Sequence, residues 1–177
     1  SITKRFSSKR QLRNRYIANA PCQQTAELCQ LIDGNNMSSD LKNKIEDKTA
    51  QISVIGAGYV GLPLAVAFAS AGFNVSTIDN DESKVNTINS GESYITDISS
   101  ESIKRLSPQI SSGGTLTATT EYSSLATSDC VIICVPTPVS KTKDPDVSFI
   151  IDATNSISKY IHEDMLVVLE STTYPGT

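Results

Sequence analysis

Three glycines in the stretch "VIGAGYVGLPLA", Val54 to Ala65, constrain this chain more than any other feature. The β-rich run "QISVIGA" precedes them, and an apolar, alanine-rich run from about Tyr59 to Ala71 follows, stopped by Gly72. Gly56, Gly58 and Gly61 therefore fall where a strand hands over to a helix, the only context in which G-x-G-x-x-G carries meaning. Each glycine has its own reason to be there. Gly56 permits a tight turn, Gly58 lets the backbone approach a pyrophosphate, and Gly61 lets the helix pack close to the strand. Ala57, Tyr59 and Val60 complete the turn, whose helix end faces the negative phosphates. Pro63 is tolerable because it falls near the first helical turn.

The next strand, "FNVSTIDN", ends at Asp79, eighteen positions past Gly61. A carboxylate there accepts hydrogen bonds from the diol of an adenosine ribose and disfavours a 2′-phosphate, so NAD rather than NADP is the expected cofactor. Lys84, on the helix "DESKVNTIN" that follows, is within reach of the same ribose edge or simply solvated.

Strands and helices alternate along the remaining chain. A helix with Ser38 or Ser39 as N-cap and Leu41 and Ile45 on one face leads in. After the second helix come the loop "GESYITDIS" and the helix "SSESIKRLS", then the strand "TLTATT" and the short helix "EYSSLATS". The buried strand "DCVIICVP" follows, then the amphipathic helix "DVSFIIDATNSISKYI" and the strand "MLVVLE". The amphipathic helix is expected to turn Phe149, Ile150, Ala153, Ile157 and Ile161 inward. This alternation predicts an α/β fold, a Rossmann-type doubly wound parallel sheet with helices on both faces, truncated at its carboxyl end. Ligands bind such sheets at the carboxyl ends of the strands. Two further segments land there: "CVPTPV", with Val135, Pro136 and Thr137, and "ESTTYPGT", with Ser171 and Thr172. The hydroxyls of the second can bond a nicotinamide ribose or position a water, or merely cap a following helix.

Charge divides the chain. Residues 1–50 carry nine Lys and Arg against five Asp and Glu, the rest six against fourteen, for a net charge of −4. The basic excess is read as a solvated extension over residues 1–40, ahead of a cofactor domain over 41–177; no nucleic-acid partner is expected. No apolar run is long enough for membrane insertion, and "TKRFSSKRQLRNR" has no apolar core of a signal peptide, so a cytoplasmic protein is expected. Cys22, Cys29, Cys130 and Cys134 lack metal-site spacing, and His162 is the only histidine, so no metal site is expected. Cys130 and Cys134, inside an apolar run, read as buried and reduced. His162 reads as a solvated cap at the end of its helix.

At these residues the chain resembles the UDP-glucose/GDP-mannose dehydrogenase family, through "LKNKIEDKTAQISVIGAGYVGLPLA", "IDNDESKVNTINSGESYITDI", "CVPTPVSKTKDPDVSFI" and "VVLESTTYPGT". The resemblance spans about Leu41 to Thr177, and its wording is more similar to the branch acting on UDP-N-acetylhexosamines than to plain UDP-glucose dehydrogenases. It implies oxidation of a sugar C6 alcohol to the carboxylate with two NAD, for polysaccharide synthesis. Gly56 to Gly61 would then hold the pyrophosphate, Asp79 and Lys84 the adenosine ribose, and Val135 to Val139 would border the nicotinamide. Thr137 and Thr172 match threonines near the catalytic water. The family's nucleophilic cysteine, lysine and asparagine, its UDP-sugar domain and its dimer helix would all lie beyond Thr177. The chain as given is therefore expected to bind cofactor without catalysing, and a homodimer is expected only of the longer protein. A plain UDP-glucose dehydrogenase, a β-hydroxyacid dehydrogenase and a non-catalytic NAD-sensing module are the competing expectations.

Overall fold

In the computed structural model, residues 38–138 and 146–171 are described. The basic extension through residue 37, with Cys22 and Cys29, lies outside the described residues, as do Val139 and Thr172. Helix α1 (Ser39–Glu46) starts where Ser38 accepts a hydrogen bond from the Leu41 amide, one of the four donors a helix start leaves free. Its Leu41 and Ile45 are buried, as their spacing predicts.

Five strands follow: β1 (Gln51–Ile55), β2 (Asn74–Ile78), β3 (Thr115–Thr119), β4 (Cys130–Ile133) and β5 (Leu166–Leu169). They form one sheet in the order β3-β2-β1-β4-β5, every pair parallel. The chain moves from β1 to β2 and β3 on one side, then returns to lay β4 against the other side of β1. That reversal puts a crevice at the carboxyl ends of β1 and β4.

The helices between the strands are α2 (Gly61–Ser70), α3 (Glu82–Asn89), α4 (Ser100–Arg105) and α5 (Ser148–Ile157), with a 3₁₀ helix at Tyr122–Thr127. Strand residues alternate between the two faces. Ile52 and Val54 of β1, Val75 of β2 and Ile132 of β4 pack with Leu62, Ala65 and Phe68 of α2 and with side chains of α1, α3 and α4. Ile55, Ile78, Val131 and Ile133 meet Leu125, Ala153 and Ile157 on the opposite face. Because β4 is buried along its whole length, its sequence is an unbroken apolar run. Each of its Val and Ile side chains contributes about 1.5–3 kcal/mol of burial.

Two boundaries differ from the pattern in the sequence. Helix α2 begins at Gly61 rather than Tyr59, because Gly58 to Val60 form the turn itself. Helix α5 stops at Ile157, so Ile161 packs on the core from the turn beyond, and Phe149 lies on the helix flank, 43% exposed. His162 consequently caps no helix. Its ring nitrogens lie 2.8 Å from the Glu163 carbonyl oxygen and 3.1 Å from that of Ser128, and the one that carries the proton donates, which sets the approach to β5 beside the approach to β4. No helix of the described residues is long and apolar enough to cross a membrane.

Candidate cofactor site

The glycine turn is wedged between two strand ends. Gly56 donates to the Ile78 carbonyl at the end of β2 (2.7 Å). On its other side, a β-carbon built on Gly56 would come 2.6 Å from the Cys134 carbonyl oxygen beyond β4, and its φ of +98° is one that glycine adopts freely. Gly61 is still tighter, since a β-carbon there would fall 1.8 Å from the Gly56 carbonyl oxygen. Gly58 is the opposite case: a β-carbon would meet nothing within 4 Å. One turn thus holds two glycines that the fold demands and one whose missing side chain leaves room at the surface.

That room lies at the start of α2. The helix has Val60 at its N-cap with no side-chain hydrogen bond, and its first turn carries no acidic residue. No side chain of its own thus caps or offsets its positive end. Tyr59 is 81% and Val60 55% exposed beside it.

Asp79 stands one residue past β2, largely buried, and its carboxylate is engaged by protein donors. Oδ2 accepts from the Ala57 amide (2.7 Å) and faces Lys84 Nζ (3.4 Å), while Oδ1 accepts from the Asp81 amide (3.0 Å). Asp81 in turn caps α3 by accepting from the Ser83 amide. The acid expected to meet a ribose therefore also holds the glycine turn, a second duty that spacing alone does not reveal. Each carboxylate oxygen has capacity for a further donor.

Sequence reasoning passed over Tyr94. Its hydroxyl donates to the Ala57 carbonyl at 2.6 Å, on the other side of the residue that Asp79 holds. Burial pushes the phenol above its ordinary range, and the charges of Asp79 and Asp81 push it further, so the hydroxyl stays a donor. The only local hint is an aromatic residue in the polar loop "GESYITDIS".

On the far side of the crevice, Val135 and Thr137 are partly buried and Pro136 exposed, extending from β4 over the carboxyl edge. Ser171 is buried, and its hydroxyl donates to the Val135 carbonyl (2.8 Å), with the Ile133 carbonyl at 3.3 Å. Its proton is committed to the strand end, and its lone pairs remain to accept. The Cys134 and Cys130 thiols are pushed up to about 12, chiefly by burial, as core positions require. Among the described residues there is no cluster of metal-ligating side chains.

Residues 50–177 match the model of the UDP-glucose/GDP-mannose dehydrogenase family, NAD binding domain. The chain belongs to this family. It is 39% identical over 127 residues to a UDP-N-acetyl-D-mannosamine dehydrogenase of Pyrococcus horikoshii, covering 72% of this chain and 29% of that protein. Among solved structures, a GDP-mannose dehydrogenase of Pseudomonas aeruginosa superimposes with a TM-score of 0.63 at 32% identity, over 71% of this chain and 29% of that one. A UDP-glucose dehydrogenase of Pyrobaculum islandicum gives 0.63 at 30% identity, over 72% and 30%. The chain thus spans under a third of the length of these relatives. Its cofactor is NAD. Observations in the crevice fit that group: an open surface at Gly58, a helix start without a capping side chain, and an acid at the end of β2.

Proposed function

We propose that this chain is the NAD-binding part of a nucleotide-sugar 6-dehydrogenase that oxidises the C6 alcohol of a UDP-N-acetylhexosamine to the acid, for polysaccharide synthesis. The observation that carries the cofactor half is the placing of Asp79 against the open glycine turn at the β1/β4 reversal. In this reading the turn from Gly56 to Gly61, with Ala57, Tyr59 and Val60, and the start of α2 receive the pyrophosphate. Asp79 accepts from the adenosine ribose, with Lys84 at its edge. Val135, Pro136 and Thr137 border the nicotinamide, and Ser171 shapes that border by holding the Val135 carbonyl. Thr137 and Thr172 position the water that completes the acid.

When bound, NAD supplies the hydride acceptor, and two are needed because alcohol to carboxylate is a four-electron change. The sugar assignment rests on the UDP-N-acetyl-D-mannosamine dehydrogenase relative and on the wording of "CVPTPVSKTKDPD". The sugar domain and the dimer belong, in this reading, to a longer protein in a cytoplasmic setting, and the chain alone binds without turning over.

Titration calorimetry of this chain with NAD and NADP tests the cofactor half. Saturable binding that prefers NAD is expected; a preference for NADP contradicts the ribose role of Asp79. In a protein spanning the relatives' full length, two NADH per UDP-N-acetylhexosamine are expected. One NADH per sugar rules out the two-step oxidation.

A further inference from the structure

Ala57 is held from both sides by side chains distant in sequence. Its amide donates to Asp79 and its carbonyl accepts from Tyr94, at 2.7 and 2.6 Å. These groups belong to the two peptide planes that flank the Ala57 α-carbon. Fixing both planes fixes the torsions between them.

The second plane matters more. It contains the Ala57 carbonyl and the Gly58 amide, and no described peptide bond is cis. In a trans peptide the N–H points opposite to the C=O, so a donor that anchors the carbonyl also sets the direction of the amide. The Gly58 amide is thus turned away from Tyr94, at the one glycine of the turn whose side-chain position is open.

The loop that carries Tyr94 is itself braced. Ile95, its neighbour, is buried in the main core. Ser93 Oγ accepts from the Ile95 amide and donates to the Ile95 carbonyl, and the Ser93 amide donates to Ser100 Oγ. Gly91, with φ of +80°, lets the loop pass close to Lys104, where a β-carbon would lie 3.3 Å from the lysine backbone. A phenol presented from so fixed a loop is a rigid donor.

We infer that Tyr94 is a positioning residue for pyrophosphate binding, holding the Gly58 amide in its binding direction through the Ala57 carbonyl. The inference rests on the cofactor reading above and extends it to a residue outside the glycine motif. Tyr94 itself touches the turn and not the ligand. Its contribution is preorganisation: without the hydroxyl, the 57–58 peptide must be ordered when the ligand arrives.

The test is Tyr94→Phe, which keeps the ring and removes the hydroxyl. ADP-ribose and NAD, which carry the pyrophosphate, should bind about fivefold to tenfold more weakly, the worth of one neutral hydrogen bond. Adenosine, which offers the ribose but no phosphate, should bind the variant as it binds the parent. In the ligand-free chain the Ala57 amide should exchange with solvent faster in the variant, because the plane beyond it is no longer anchored. Unchanged ADP-ribose affinity overturns the proposal, and so does an equal loss for adenosine and ADP-ribose, the mark of a general structural role. If the parent chain binds neither NAD nor ADP-ribose, the cofactor reading fails by itself. The exchange measurement then decides the clamp alone, and an unchanged Ala57 rate overturns it.

Discussion

The two ends of the sheet use the same device to different effect. At the carboxyl end, Asp79 accepts from the backbone amide of Ala57 and faces Lys84; at the amino end, Asp129 accepts from the backbone amide of Gln51 (2.8 Å) and from Lys44 (2.9 Å). In each case one carboxylate pins a β1 terminus and draws in a lysine from a helix. Yet at the amino end the neighbouring polar groups use one another: Ser53 and Ser128 share a hydrogen bond of 2.6 Å, and His162 reaches the Ser128 carbonyl. At the carboxyl end a helix starts without a capping side chain and Gly58 leaves a gap. A pinned carboxylate therefore makes a scaffold. An open turn and an uncapped helix start beside it are what the carboxyl end adds to that scaffold.

The sharpest way to break the carboxyl end is Gly61→Ala. Its methyl would overlap the Gly56 carbonyl, a backbone atom with no room to retreat, and a loss of about 3 kcal/mol is expected from urea unfolding. Asp79→Ala strikes the same end through its hydrogen bonds. It should weaken NAD binding by about 2 kcal/mol in calorimetry, because charge-assisted bonds are the costly ones to lose. Gly58→Ala separates site from scaffold: unfolding should shift by less than about 0.5 kcal/mol, while NAD affinity falls because the new methyl occupies the open surface.

Thr77→Val offers a smaller and opposite effect. The Thr77 hydroxyl is buried on β2 with no hydrogen-bond partner, so replacing it with a methyl should leave stability unchanged or raise it by up to about 1 kcal/mol. At the amino end, the hydrogen bond and charge of Asp129 raise the Lys44 ammonium above its ordinary 10.5. Folding then favours the protonated form, so this contribution is whole below that value and fades as pH rises through the higher folded one. Lys44→Met should lower stability slightly and evenly below that value and abolish the alkaline fall, a small change for so exposed a pair.

The succession of strands and helices and the glycine turn were legible because they rest on local signals: period two, period 3.6, and glycines at fixed offsets. Asp79 was legible for the same reason, at the end of a recognisable strand. Tyr94 was not, since its partner Ala57 lies 37 residues away and no spacing rule connects a loop phenol to a carbonyl across the sheet. His162 was assigned to a helix end because apolar periodicity runs on to Ile161; the helix ends at Ile157, and burial of Ile161 from a turn mimics a helical face. Phe149 failed for a related reason, because apolar character marks both the centre of a buried stripe and its flank.

The buried thiols are those of Cys130, which opens β4, and Cys134, one residue past its end, on the strand between β1 and β5. Burial covers both thiols and raises them above their ordinary range, so their alkylation should wait on local opening around β4. Their labelling rate therefore counts openings of the strand on which both crevice walls depend. A ligand that binds only the closed form slows that count in proportion to its occupancy, so the cofactor's grip can be timed without watching the cofactor at all.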